Sequence, residues 1–163
     1  MAVKFTDNSA QVKGAMNDAI VAYLYEAGET LKRRASNNTT IGAETAGKWD
    51  YKVDEKEAQT VIGNPSEMSL WDELGTGEWA LNKDGRKGYW VYVKGSGRST
   101  SANQKKYTLQ EAKQIVAMMR ADGLDAYYTN GRKPARGFFK AFTALKPALI
   151  RRAEDILKAR MGE

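Results

Sequence analysis

Between residues 9 and 34 the apolar side chains Val12, Ala15, Met16, Ala19, Ile20, Tyr23, Leu24, Ala27 and Leu31 recur at steps of three and four. That spacing puts them in one stripe along a long amphipathic helix, and such a stripe requires a second layer to cover it. Lys32, Arg33 and Arg34 suit the C-terminal end of the helix dipole. Gly14 and Gly28 each cost about 1 kcal/mol against alanine, a cost that a helix of this length tolerates. The polar run Ser36 to Gly42 then reads as a loop.

The covering layer is predicted next. Trp49, Tyr51 and Val53 alternate with charged residues, Asp54 to Glu57 can turn, and Ala58 to Ile62 return, which describes a hairpin buried on one face. Gly63-Asn64-Pro65 ends it. Leu70, Trp71 and Leu74 form the apolar side of a short helical turn that Ser66 or Ser69 can cap. Gly75 and Gly77 follow, both free to take positive φ, so this stretch reads as a corner. Trp79 to Leu81 and Tyr89 to Val93 suggest a second hairpin around residues 82–88.

Residues 94–106 are small, polar and basic and read as a loop. Thr108 with Glu111 matches a capping box before a helix whose apolar side is Ala112, Ile115, Val116 and Met119. Asp122-Gly123 closes that helix, and Leu124 to Tyr128 looks like a short strand. The final helix runs through Phe142, Leu145, Leu149, Ile150, Ile156 and Leu157, with Pro147 marking a kink or a restart. The fold class expected is α+β. It has an antiparallel sheet of about four strands packed by a long N-terminal helix and a C-terminal helix, in a single domain over residues 1–163. A loop–helix–strand module is inserted at residues 94–128.

Composition narrows the chemistry. The chain of 163 residues has no cysteine and no histidine, which removes thiolate chemistry, the commonest general base and the commonest transition-metal ligand. No apolar run approaches the roughly 20 residues needed to span a bilayer, and the first residues contain no signal core. A soluble, non-exported protein is therefore expected. Gly75-Thr76-Gly77 and Gly95-Ser96-Gly97 lack the strand, helix and Lys-Ser/Thr ending of a phosphate-binding loop. Asp72/Glu73 and Glu154/Asp155 are sequence neighbours, so in a helix they point about 100° apart and read as solvated faces. No catalytic residue, metal ligand or cofactor site is assigned, and no small-molecule substrate or membrane is expected as a partner.

Charge is unevenly placed. Residues 131–163 contain nine basic and three acidic residues, so the whole net excess of +6 lies in the C-terminal fifth. Such asymmetry fits either an acidic partner surface or proximity to nucleic acid, and equally a basic helix end that complements its own dipole. No base-reading signature is present.

Two stretches, Leu70-Trp71-Asp72-Glu73-Leu74-Gly75-Thr76-Gly77 and Gly131-Arg132-Lys133-Pro134-Ala135-Arg136-Gly137-Phe138-Phe139, occur in that order within this succession of elements. The chain thereby resembles the tail-completion proteins of long-tailed bacteriophages, neck or minor tail proteins of the lambda minor tail protein Z type. The first stretch is similar to that family's hydrophobic-aromatic-x-Glu-aromatic-Gly-Thr-Gly pattern, with Leu74 in place of the aromatic. The second approximates a Gly-x-x-Pro-x-Pro-Phe-Leu pattern, with Arg136-Gly137 where the second proline is usual. Residues 94–128 look like an elaboration.

The resemblance implies a non-enzymatic structural protein of the virion, made in the host cytoplasm and found at the head–tail joint. There it would form a homo-oligomeric ring, six-fold in the family. The ring would complete the head-proximal end of the tail tube and help dock tail to head connector. The implied partners are other copies of the chain, the tail tube or tail terminator protein, the head connector or stopper protein, and DNA passing non-specifically through the lumen. Interface candidates are Leu70, Trp71, Leu74, Gly75, Gly77, Arg132, Lys133, Pro134, Arg136, Phe138, Phe139 and Phe142. Phe138 and Phe142 lie four apart and Phe139 is offset, so one face is expected to pack inward while another meets a partner. Arg98, Lys105, Lys106 and Lys140 are candidates for lumen or partner-ring charge. The competing reading is a basic nucleic-acid-binding accessory protein.

Overall fold

The computed structural model describes residues 8–95 and 106–161. They fall into two compact units, one containing residues up to Ser69 and from Gly137 onward, the other Leu70–Arg136. The architecture is α+β.

In the first unit, α1 (Ser9–Asn38) packs against α5 (Gly137–Met161) and against a hairpin of β1 (Asp50–Asp54) and β2 (Gln59–Gly63). The hairpin has the expected antiparallel register, Asp50 opposite Gly63 and Asp54 opposite Gln59. Asp54 holds its turn by accepting hydrogen bonds from the Lys56 and Glu57 amides at 3.0 and 3.1 Å. Tyr51, Val53, Thr60 and Ile62 occupy the half-buried face, and Val61 points out. Gly28 sits where the hairpin comes closest, since a β-carbon there would run into the Tyr51 ring. This glycine is a packing requirement, beyond the helix defect its propensity suggests.

α1 continues one turn past the expected loop start at Ser36. The polar residues that weaken a helix here find outside partners. Ser36 Oγ donates to the Ala46 carbonyl at 2.7 Å, Asn38 Nδ2 to the Gly137 carbonyl at 3.1 Å, and Thr39 Oγ1 back to the Ala35 carbonyl at 2.9 Å. Ser36 thereby fixes the short helix α2 (Ala43–Ala46). α5 runs as one element with Pro147 inside it; no restart divides it.

α3 (Glu67–Leu74) starts one turn before the predicted apolar turn and ends at Gly75, where the φ of 73° breaks it. Beyond it the prediction fails. Trp79 to Leu81 form no strand: Gly77–Trp79 is a 3-10 turn, and the backbone donors of Trp79, Ala80 and Lys83 are used in local turns to Thr76, Gly77 and Ala80. The Leu81 amide donates to Leu74. With those groups engaged, β3 (Trp90–Val93) pairs instead with β4 (Ala126–Thr129), antiparallel, Trp90 opposite Thr129. Among the described residues there are thus two two-stranded sheets, not the single sheet of about four strands expected.

α4 (Leu109–Ala121) covers the β3–β4 pair, and Val91, Ala112, Val116 and Ala126 form the core between them. Its predicted capping box is present. The Glu111 carboxylate accepts from the Thr108 amide at 2.7 Å, and Thr108 Oγ1 accepts from the Glu111 amide at 3.3 Å.

Candidate interaction site

In the second unit the residues after α3 meet the residues after β4. The Thr76 amide donates to the Arg132 carbonyl at 2.9 Å, the Arg132 amide to Thr76, and the Glu78 amide to the Asn130 carbonyl at 2.9 Å. The Ala135 amide donates to the Asp72 carbonyl at 2.7 Å. Residues 72–78 and 130–135 are therefore bound backbone to backbone in one clasp.

Such close approach requires glycine. Gly77 (φ 61°) and Gly131 (φ 122°) have backbone conformations that side chains disfavour. A β-carbon on Gly77 would meet the Asn130 carbonyl, and one on Gly131 the Thr76 carbonyl. Gly75 is confined likewise, with Pro134 Cδ 2.8 Å from its β-carbon position. Gly75 and Gly77, predicted at an interface, hold the corner together.

Asp72 corrects the sequence reading. Expected on a solvated face, it is 3% exposed, and its carboxylate pairs with the Arg132 guanidinium at 3.4 Å. Across the clasp, Glu78 accepts from the Gly88 amide at 3.0 Å and from Asn130 Nδ2 at 2.9 Å. Donation from Gly88 foremost, then Asn130, holds the Glu78 carboxyl below its ordinary range. Lys133 lies over the Trp79 ring, 4.6 Å from its centroid.

The apolar side chains of this corner point outward. Leu70 is 57% exposed and Trp71 44%. Both, with Leu74 and Leu81, line an open hollow of about 390 Å³ floored by Gly75 to Gly77. Arg132 and Lys133 are exposed, while Pro134 and Arg136 are half-buried.

In the first unit, α5 begins with the three phenylalanines in different roles. Phe138 stacks on Trp49 with centroids 5.4 Å apart and planes 12° from parallel, and Trp49 Nε1 donates to Thr39 Oγ1. Phe139 and Phe142 are exposed on either side of the fully buried Ala141. The expected grouping of Phe138 with Phe142 against an offset Phe139 does not hold: the stack on Trp49 takes Phe138 inward alone, and Phe142 is exposed like Phe139. Lys140 and Lys106 are exposed, and the candidates Arg98 and Lys105 lie outside the described residues.

Among the described residues no group of three or more metal-ligating side chains could hold an ion, and no helix is long and apolar enough to cross a membrane. The site offers shape, apolar surface and cationic side chains. Compared with family models, curated proteins and solved structures, the chain matches none.

Proposed function

We propose that the protein is a structural assembly component of a phage-type tail, a tail-completion protein that forms a ring at the head–tail joint and acts by binding. The observation that carries this reading is the clasp. The Leu70–Gly77 stretch and the Gly131–Arg136 part of the second, which bear the resemblance to that family, are more than fifty residues apart in sequence and hydrogen-bond to each other through Thr76 and Arg132. A shared sequence pattern that maps onto one rigid corner is what a common fold element would produce.

A closed ring of identical subunits needs two different, complementary patches on each copy. The hollow beside Leu70, Trp71 and Leu81 provides a receptive surface, and the exposed Phe139 at the start of α5 provides a projecting one. Aromatic side chains seated in pockets are favoured anchors at such contacts.

The test is light scattering and electron microscopy of the full chain, alone and with purified tail-tube protein. Rings, or density capping tube ends, are expected. A species that neither closes into rings nor binds tube ends, and instead shifts with DNA in a strongly salt-dependent way, would replace this reading with the nucleic-acid-binding one. The cations on α5, Lys140, Lys146, Arg151, Arg152, Lys158 and Arg160, would then be its surface.

A further inference from the structure

α5 has a second apolar stripe besides the one it packs on α1. Phe142, Ile150 and Leu157 are 43%, 48% and 38% exposed, and they line one side of a shallow groove of about 400 Å³ that Tyr23 of α1 borders. Lys146 and Glu154 line the same groove, and neither has an ion-pair partner among the described residues. Exposed apolar side chains that share one helix face, with a charge of each sign between them, mark a contact surface.

The order of residues along this stripe identifies its occupant. Lys146 and Glu154 stand four residues to either side of Ile150, and Phe142 and Leu157 stand eight and seven residues to either side. The stripe is therefore a palindrome in size and an anti-palindrome in charge. We infer that it binds the same stripe of a second copy of this chain, antiparallel, with Ile150 on the two-fold axis.

In that arrangement Ile150 meets Ile150, Phe142 of each copy lies beside Leu157 of the other, and Lys146 of each lies level with Glu154 of the other. Four residues rise about 6 Å along a helix, so both charge pairs form on the same register that centres Ile150. A parallel pairing would set Lys146 against Lys146 and Glu154 against Glu154, and like-charge juxtaposition opposes it. The seam from Phe142 to Leu157 runs about 22 Å. An isologous contact closes with two copies, so it is distinct from the head-to-tail contact of a ring. It rests on α5 alone and not on the ring reading.

Sedimentation equilibrium of the full chain tests it. A dimer is expected. Lys146→Glu alone and Glu154→Lys alone each turn two attractive pairs into two repulsive ones and should weaken dimerisation by about tenfold. The double variant K146E/E154K restores both pairs and should recover the original affinity. Because the chain has no cysteine, Ile150→Cys gives a single thiol that forms an intermolecular disulfide only where position 150 meets itself. Under mild oxidation it should yield a covalent dimer, while Val61→Cys, exposed on the β-hairpin, should not. A monomer at all concentrations, a double variant as weak as the singles, or an Ile150→Cys chain that cross-links no faster than Val61→Cys would each overturn the proposal. Rings that form normally and respond to neither charge reversal would overturn it too, leaving the ring reading intact.

Discussion

Replacing Gly77 by alanine tests whether the clasp holds the second unit together. The added β-carbon meets three obstacles at once: the Asn130 carbonyl, the Gly131 α-carbon and the Trp90 ring, the last two at 2.8 Å. Two of these are backbone or glycine and have no rotamer to yield. A residue other than glycine at a φ of 61° itself costs about 1–2 kcal/mol. Relieving the overlap means moving residues 130–131 away, which breaks the Glu78–Asn130 and Arg132–Thr76 backbone bonds at about 1 kcal/mol each. The expected destabilisation is therefore about 3–4 kcal/mol. Three of the four tryptophans, Trp71, Trp79 and Trp90, lie in residues 70–136, so urea unfolding followed by tryptophan fluorescence reads this unit directly. Gly14→Ala is the matched control, since nothing lies within 4 Å of its β-carbon position and an exposed helix interior should gain about 1 kcal/mol. If Gly77→Ala stays within about 1 kcal/mol of the parent, the backbone clasp does not have the strength assigned to it.

Glu78 gives a pH dependence. Its carboxyl titrates below the ordinary range because it accepts from Gly88 and Asn130, so its contribution to stability is full above the unfolded value and is lost as pH falls through the folded one. Glu78→Gln should lower stability in the neutral region, leave the most acid region nearly unchanged and so flatten the acid limb of the stability–pH curve, measured by urea midpoints from pH 3 to 7; an unchanged acid limb would remove this role. Phe138→Ala should cost about 3 kcal/mol through the lost stack on Trp49, whereas Phe139→Ala, exposed, should stay within about 0.5 kcal/mol and lower only assembly onto tail tubes. Thermal melts paired with an assembly assay separate the two, and equal melting shifts would contradict the division.

What could be read from the sequence was what repeats locally. The helical period of α1, the alternation of β1 and β2 around Asp54, and the Thr108–Glu111 box each depend on residues within one turn or one hairpin of each other. The element that went wrong, a strand at Trp79 to Leu81, also looked locally plausible. Its apolar residues and the following Asn-Lys-Asp-Gly run fit a hairpin, and only the competing demand of Leu74, Thr76 and Gly77 for the same backbone groups excludes it. The clasp that engages Thr76 and Glu78 at the same corner reaches residues 130–135, roughly fifty positions away, and that part has no local signature. The pairing of β3 with β4 follows from the same cause, since β3 is left with an open edge that the first hairpin partner cannot fill.

The buried Asp72 was missed for a related reason, and it explains why this corner is more than a turn. Helical spacing correctly says that Asp72 and Glu73 cannot face each other, but it does not say which of them faces inward. The inward position goes with the clasp: the Asp72 carbonyl receives the Ala135 amide, and the Asp72 carboxylate pairs with Arg132 from the same incoming segment. With Asp72 inside, Leu70 and Trp71, the two residues before it and about 200° and 100° round the helix, are turned out to solvent. A helix that buries its carboxylate and exposes its tryptophan inverts the usual amphipathic arrangement. It does so here because three glycines bring another backbone close enough to satisfy the buried polar groups. The exposed apolar rim is thus a direct consequence of the clasp, and any variant that opens the clasp should lose the presented surface together with the fold of residues 70–136.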